Sequence, residues 1–139
     1  MATFVKFNSF VEALAEKVHN LGADTLKFAL TNSAPSAANT VLANITQIAG
    51  SNGYTTGGTA ATISSSSQSS GTYKLVLADV TFTASGGAMG TFRYVVLYND
   101  TATNDELIGY WDVGSAISLS AGQAFVVDCD PTNGVLQLV

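Results

Sequence analysis

The chain has 139 residues, of which 47% are hydrophobic and only 11% charged, and its formal net charge is −5 at pH 7. That length suits a single domain able to bury a core without covalent staples. The five cations, Lys6, Lys17, Lys27, Lys74 and Arg93, are scattered along the sequence, which argues against a basic patch for nucleic acid. No run approaches the roughly 20 apolar residues that a membrane-spanning helix needs. Residues 1–6 lack the basic start and apolar run of a secretory signal.

The charged fraction is well under the usual quarter. The expected surface is therefore coated with Ser, Thr, Asn, Gly and Ala. Such a surface has two readings: a neutral β domain, or a subunit much of whose surface meets protein, because charge is depleted at the centre of protein interfaces.

Residues 2–7 read as a short strand or an N-terminal arm, the arm extending over 1–8. Ser9 stands three residues before Glu12, the spacing of a capping box. Phe10, Val11, Leu14, Val18 and Leu21 follow at helical period. Gly22 supplies a stop signal. The expectation is one helix over 9–21, its apolar stripe on a sheet and His19 off that stripe, exposed near the C-terminal end.

From residue 25 the period becomes two. Residues 25–31 alternate, with Leu26, Phe28 and Leu30 on one face, and 32–35 carry turn chemistry. Residues 36–49 are compatible with a helical turn or a packed loop. Residues 50–58 form a glycine-rich loop, mobile or ordered by an interface, and 64–71 a serine-rich loop, with an edge strand over 59–63 between them. Residues 72–78 alternate again, as do 80–84. Gly86 and Gly87 mark a turn. Residues 92–98 are apolar on both faces apart from Arg93 and predict a central strand covered on two sides. Further strands are expected over 107–111, 116–119, 123–129 and 135–139. Eight or nine short strands with turns between them predict a mainly β fold, an antiparallel β-sandwich or jelly-roll-like domain over 25–139 carrying one N-terminal α-helix.

The residues that carry chemistry are few. His19 is the one histidine and Cys129 the one cysteine, so an intrachain disulfide and a zinc site of the usual His/Cys kind are both excluded. Cys129 lies in an alternating run and reads as a buried hydrophobe. Asp128 and Asp130 would share one side of a strand, a carboxylate pair or a calcium ligand set, unless Asp130 opens a turn at Pro131. The 50–58 loop lacks the Gly-Lys-Ser/Thr ending of a phosphate cradle. No cofactor and no catalytic residues are expected. Tyr110, Trp111 and Asp112 are the aromatic and acidic types that hold sugars, with rings stacking on pyranose faces and a carboxylate taking hydroxyls. The alternative is that both aromatics are core residues.

The order of segments resembles a known family. Phe28-Ala-Leu-Thr-Asn-Ser-Ala-Pro35 runs on to Asn39-Thr-Val-Leu-Ala-Asn-Ile-Thr46. Asn52-Gly-Tyr-Thr-Thr-Gly-Gly58 and Gly71-Thr-Tyr-Lys-Leu-Val-Leu-Ala-Asp79 follow, then Phe92-Arg-Tyr-Val-Val-Leu-Tyr-Asn-Asp100 and Leu107-Ile-Gly-Tyr-Trp-Asp112. Together these are similar to small structural proteins from the virions of tailed bacteriophages. The resemblance implies a capsid decoration (cement) protein on the head surface, or a small tail component. Its implied partners are the major capsid protein or tail proteins and further copies of itself. The alternative is a tail or tail-fibre module binding host carbohydrate through Tyr110, Trp111 and Asp112.

Overall fold

The strand expected to be covered on two sides is the axis of the structure. In the computed structural model, which describes residues 2–139, this strand, β7, spans Phe92–Asn99. Earlier in the chain come β1 (Phe4–Lys6), α1 (Phe10–Ala15), β2 (Leu26–Thr31), β3 (Thr59–Ala60), β4 (Ile63–Ser69), β5 (Thr72–Leu77) and β6 (Val80–Thr83). After it come β8 (Leu107–Ile117), β9 (Ala124–Val127) and β10 (Leu136–Leu138). All pairings are antiparallel, in a five-stranded sheet β1-β8-β7-β2-β3, a three-stranded sheet β10-β5-β4 and the pair β6-β9. The fold is mainly β with one short helix near the N-terminus.

The main core lies between layers. Leu26, Phe28 and Leu30 of β2 and Val95 and Leu97 of β7 point from the large sheet toward Leu75 and Leu77 of β5 and Val80 and Phe82 of β6. The period-two pattern sends their sequence neighbours the other way. There Ala29, Val96 and Tyr98 join Phe7, Ile45 and Leu107 in a second buried cluster. The covering segment is residues 36–49, whose local structure is a 3-10 turn at Leu42–Asn44. Asn44 Oδ1 accepts the Thr40 and Val41 amides, and isolated bridges join Val41 to Glu106 and Thr31 to Gln47.

Several expectations change. The helix stops at Ala15 instead of reaching residue 21. Lys17 turns to φ +68°, the Val18 amide bonds back to the Ala13 carbonyl at 2.8 Å and the Lys17 amide to Leu14 at 3.3 Å. This is a Schellman ending with a lysine where glycine is usual. Ser9 is itself helical in backbone and its side chain makes no capping bond. Of the five stripe residues only Phe10 and Leu21 are buried, while Val11 and Val18 are exposed. Because the chain reverses at Lys17, His19 is carried inward and is buried.

Residues 4–6 are a strand paired with β8 through Phe4–Trp111, Val5–Tyr110 and Lys6–Gly109; position 1 lies outside the described residues. The serine-rich stretch is not a loop: β4 pairs with β5 from Ile63 to Ser69. The two strands expected over 107–111 and 116–119 are one long strand, β8, with irregular register opposite β7. The 50–58 loop is pinned from within. Tyr54 is buried, and its hydroxyl donates to Gln47 Oε1 at 2.6 Å and accepts the Leu30 amide at 3.2 Å. Gly58, at φ +79°, lies where a Cβ would run into the Phe28 carbonyl, so the loop closes onto β2 only with glycine there.

Candidate functional site

Strand geometry decides the fate of the Tyr110, Trp111 and Asp112 triplet. Neighbours along a strand face opposite ways, so the sheet passes between the two aromatics. Tyr110 packs on Phe7 with ring centroids 5.2 Å apart, beside the second cluster. Trp111 lies on the other face, 5.1 Å from Phe4 and 5.8 Å from Phe28. Tyr110 is therefore not part of a shared binding surface with Trp111.

Trp111 and Asp112 do share an open cleft of about 600 Å³ with Phe4, Phe125, Asp128 and Cys129. The cleft sits between β8 with β1 on one side and β9 with the following turn on the other. Phe125 and the edge strand residue Phe4 were not singled out in the sequence. Their common signal is an aromatic in a short strand at the margin of a sheet, where no sequence spacing announces which strand will lie opposite.

Asp112 is committed to the protein. Arg93 donates to it through Nε at 2.8 Å and an η nitrogen at 3.0 Å, and the Gly114 amide adds a bond of 2.8 Å. The Arg93 hydrogen bond, then the Gly114 amide, hold the carboxyl below the usual carboxylate range, and the same contact raises the guanidinium. The wide step in register between Phe92–Ile117 and Tyr94–Asp112 leaves residues 114–116 exposed while Val113 still packs against the core, and it gives Gly114 its position.

Asp128 and Asp130 do not form a pair on a strand, because β9 ends at Val127. Asp130 opens a turn: its Oδ1 accepts the Thr132 and Asn133 amides at 2.7 and 2.8 Å, and Asn133 Nδ2 donates to its Oδ2 at 3.0 Å. Those bonds lower its pKa, the Asn133 backbone amide foremost. Between them Cys129 is buried, and its amide donates to Asp79 Oδ1 at 2.8 Å. Burial first, then the charges of Asp79 and Asp128, push the thiol up to about 11, so at neutral pH it is a thiol rather than a nucleophilic thiolate.

His19 is brought together with Asn99 and Asp24. Its Nδ1 faces Asn99 Nδ2 at 3.0 Å, the same Asn99 nitrogen donates to Asp24 Oδ2 at 2.6 Å, and His19 Nε2 is buried with no hydrogen-bond partner. Burial lowers the imidazole pKa against the opposing pull of Glu106 and Asp24. A general base must reach the proton it removes, and neither ring nitrogen is offered to solvent in this fold. The chemistry-bearing side chains thus fall into separate places: His19 with Asn99 beside the helix turn, Trp111 with Asp112 and Cys129 at the cleft. Among the described residues no group of three or more His, Cys, Asp or Glu side chains is placed to hold a metal ion, and no helix is long and apolar enough to cross a membrane.

No family model, curated protein or solved structure matches the chain.

Proposed function

We propose that the chain is a structural virion protein of a tailed bacteriophage, acting as a capsid decoration (cement) protein that stabilises the head shell. The observation that carries this reading is the ordered run of segments similar to small virion proteins from residue 28 to residue 112. The physical character of the molecule supports it. A cement protein clamps neighbouring subunits, and so needs a stiff body and an uncharged exterior that can lie against protein. Here a two-sided sheet is buried on both faces, and of the five cations Lys27 and Arg93 are already paired with Asp100 and Asp112. The proposed partners are the major capsid protein and other copies of the chain, and the proposed location is the outer capsid surface.

Electron microscopy of the particle tests the proposal. The expected result is density for this fold at regular positions on the head. Density confined to the tail overturns the capsid assignment, and absence from purified particles overturns the virion assignment altogether.

A second reading rests on the cleft beside Trp111: a tail or tail-fibre module that holds a host sugar. The indole, Phe125 and the carboxylate of Asp128 supply an aromatic wall and a hydrogen-bond acceptor in one cleft. A glycan array with the wild-type chain and Trp111→Ala tests it. The reading requires binding that the substitution abolishes while the fold is retained.

A further inference from the structure

The three-stranded sheet ends in β4, and among the described residues no backbone segment pairs with that edge. Backbone hydrogen bonds to residues 63–69 come from β5; the remaining backbone bonds of the described residues pass this strand by. The inner face beneath the strand is filled. Ser66 Oγ bonds the Tyr73 hydroxyl at 2.7 Å, and Gly22 lies against Ser66. On the outer side Ser65 and Ser67 join their hydroxyls at 3.2 Å and are exposed with Ser69. What remains open is the row of alternate amides and carbonyls along the strand's outer edge.

Open edges are normally blunted by charge, proline, bulges or brevity. The other sheet margins are all brief: β1 has three residues and ends in Lys6, β3 has two, β10 has three, and β6 and β9 have four each. β4 is longer. It has seven residues, Ile-Ser-Ser-Ser-Ser-Gln-Ser, with no charge and no proline, and past an irregularity between Ile63 and Ser65 its stretch Ser65–Ser69 pairs with β5 in regular register. It then turns through Ser70 at φ +51° and Gly71 at φ +82°, a two-residue hairpin of the I′ kind. So tight a turn leaves no loop overhanging the edge.

We infer that β4 is a pairing edge for a second copy of this chain, joined antiparallel about a two-fold axis to give a continuous six-stranded sheet β10-β5-β4-β4-β5-β10. Charge is what selects this occupant. The chain carries −5 overall, so copies repel wherever their charged surfaces meet, yet this strand is neutral along its whole length. On β4 itself a charged strand would find no counter-charge, Lys74 lying one strand in on β5, whereas an identical strand meets an equal. Pairing about Ser66 sets Ser65 against Ser67 of the other copy, inside the stretch whose register with β5 is regular. Both are uncharged and small enough for close approach, and opposed serine hydroxyls can hydrogen-bond across the strands. A self-complementary contact of this kind is the usual two-fold arrangement of homodimers. Backbone pairing over one short strand buries little area beside a stable interface, so the association is concentration-dependent, populated where copies are crowded. The contact belongs to the homo-oligomer proposed above, but its test is self-association of the purified chain and is separate from where the chain sits in a particle.

Sedimentation equilibrium of the full chain up to about 1 mM, the weak end of the affinity scale, should show a monomer–dimer equilibrium. Hydrogen exchange should show amides of β4 becoming protected as concentration rises. The double variant Ser65→Lys with Ser67→Lys puts like charges opposite each other and should weaken association about tenfold. The Ser65→Asp with Ser67→Asp variant should do the same, and mixing the two should restore dimers of mixed composition. A chain that stays monomeric across the range overturns the inference. So does a dimer in which β4 amides gain no protection, which needs no variant to read, or one indifferent to both double variants.

Discussion

The imidazole Nδ1 of His19 and the carboxamide nitrogen of Asn99 meet at 3.0 Å in the interior, although eighty positions separate them. The orientation of Asn99 is fixed from its other side, since its Oδ1 accepts the Thr101 and Ala102 amides at 2.9 and 3.2 Å. Its nitrogen must therefore donate, to Asp24 and to His19. His19 Nδ1 is then an acceptor and the ring is neutral, with its proton on the buried Nε2.

That arrangement makes the fold sensitive to mild acid. Burial dominates over the charges of Glu106 and Asp24 and lowers the His19 pKa from 6.5. Below pH 6.5 the unfolded chain binds a proton that the folded chain does not, so stability falls as pH drops through 6.5 and continues to fall until the lowered folded value is reached. The slope contributed is at most about 1.4 kcal/mol per pH unit. Urea unfolding between pH 7 and 5.5 should show the decline in the wild type and a flatter profile in His19→Gln. An equal slope in both would assign the effect elsewhere.

Asn99 itself is expected to matter more than any single surface polar group. It is fully buried and joins the end of β7 to the 19–24 turn and to residues 101–102. Asn99→Ala strips partners from buried donors and acceptors at once, and should cost about 2–3 kcal/mol in denaturant unfolding. A loss below 0.5 kcal/mol, within the usual range of surface substitutions, would mean water replaces the carboxamide readily.

The end of α1 predicts a gain. Lys17 occupies the left-handed region at φ +68°, which favours glycine because a Cβ crowds the backbone there. Its amide and that of Val18 already make the closing bonds. Lys17→Gly should keep those bonds, relieve the strain and raise stability by about 0.5–1 kcal/mol. Thermal or urea unfolding would show it, and a destabilised variant would indicate that the lysine stem contributes packing of its own.

Strands whose side chains alternate against a core were legible in the sequence. Leu26, Phe28 and Leu30, then Leu75 and Leu77, repeat at period two because one face of each strand is buried, and the two-sided burial of β7 shows as an unbroken apolar run. β4 was not legible, because its stability comes from backbone pairing to β5 and serine carries no hydrophobic alternation. The helix was overextended because Val11 and Val18 keep helical spacing while remaining exposed; the turn at Lys17 answers to the His19–Asn99 contact, which only the folded chain brings together. The opposed faces of Tyr110 and Trp111 follow from the strand period alone. The cleft partner Phe125 does not, since it depends on which short strand packs over β8.

Cys129 should be inert in the native protein. The thiol is buried and its pKa is pushed up to about 11, and thiol reagents attack the thiolate. Alkylation at pH 8 should be slow until denaturant opens the core, then fast. Rapid native modification would mean that the segment after β9 opens locally without global unfolding.

Gly109 and Phe4 give the last expectation. Gly109 is buried in β8 directly beneath the Phe4 ring, and a Cβ placed there would overlap the ring and approach the Val5 carbonyl at 2.9 Å. β1 is only three residues long and cannot withdraw without loosening its pairing with β8. It would also carry Phe4 off the Trp111 ring, 5.1 Å away. Gly109→Ala should therefore cost about 1–3 kcal/mol, the range for overfilling a packed site, and should shift Trp111 fluorescence to longer wavelength as the cleft opens. The cause can be isolated with a double-mutant cycle. In a Phe4→Ala background the ring is absent, so the same substitution should cost much less. An undiminished cost would place the clash at the Val5 backbone, making the β1–β8 pairing rather than the aromatic contact the part of this margin that tolerates no side chain at position 109.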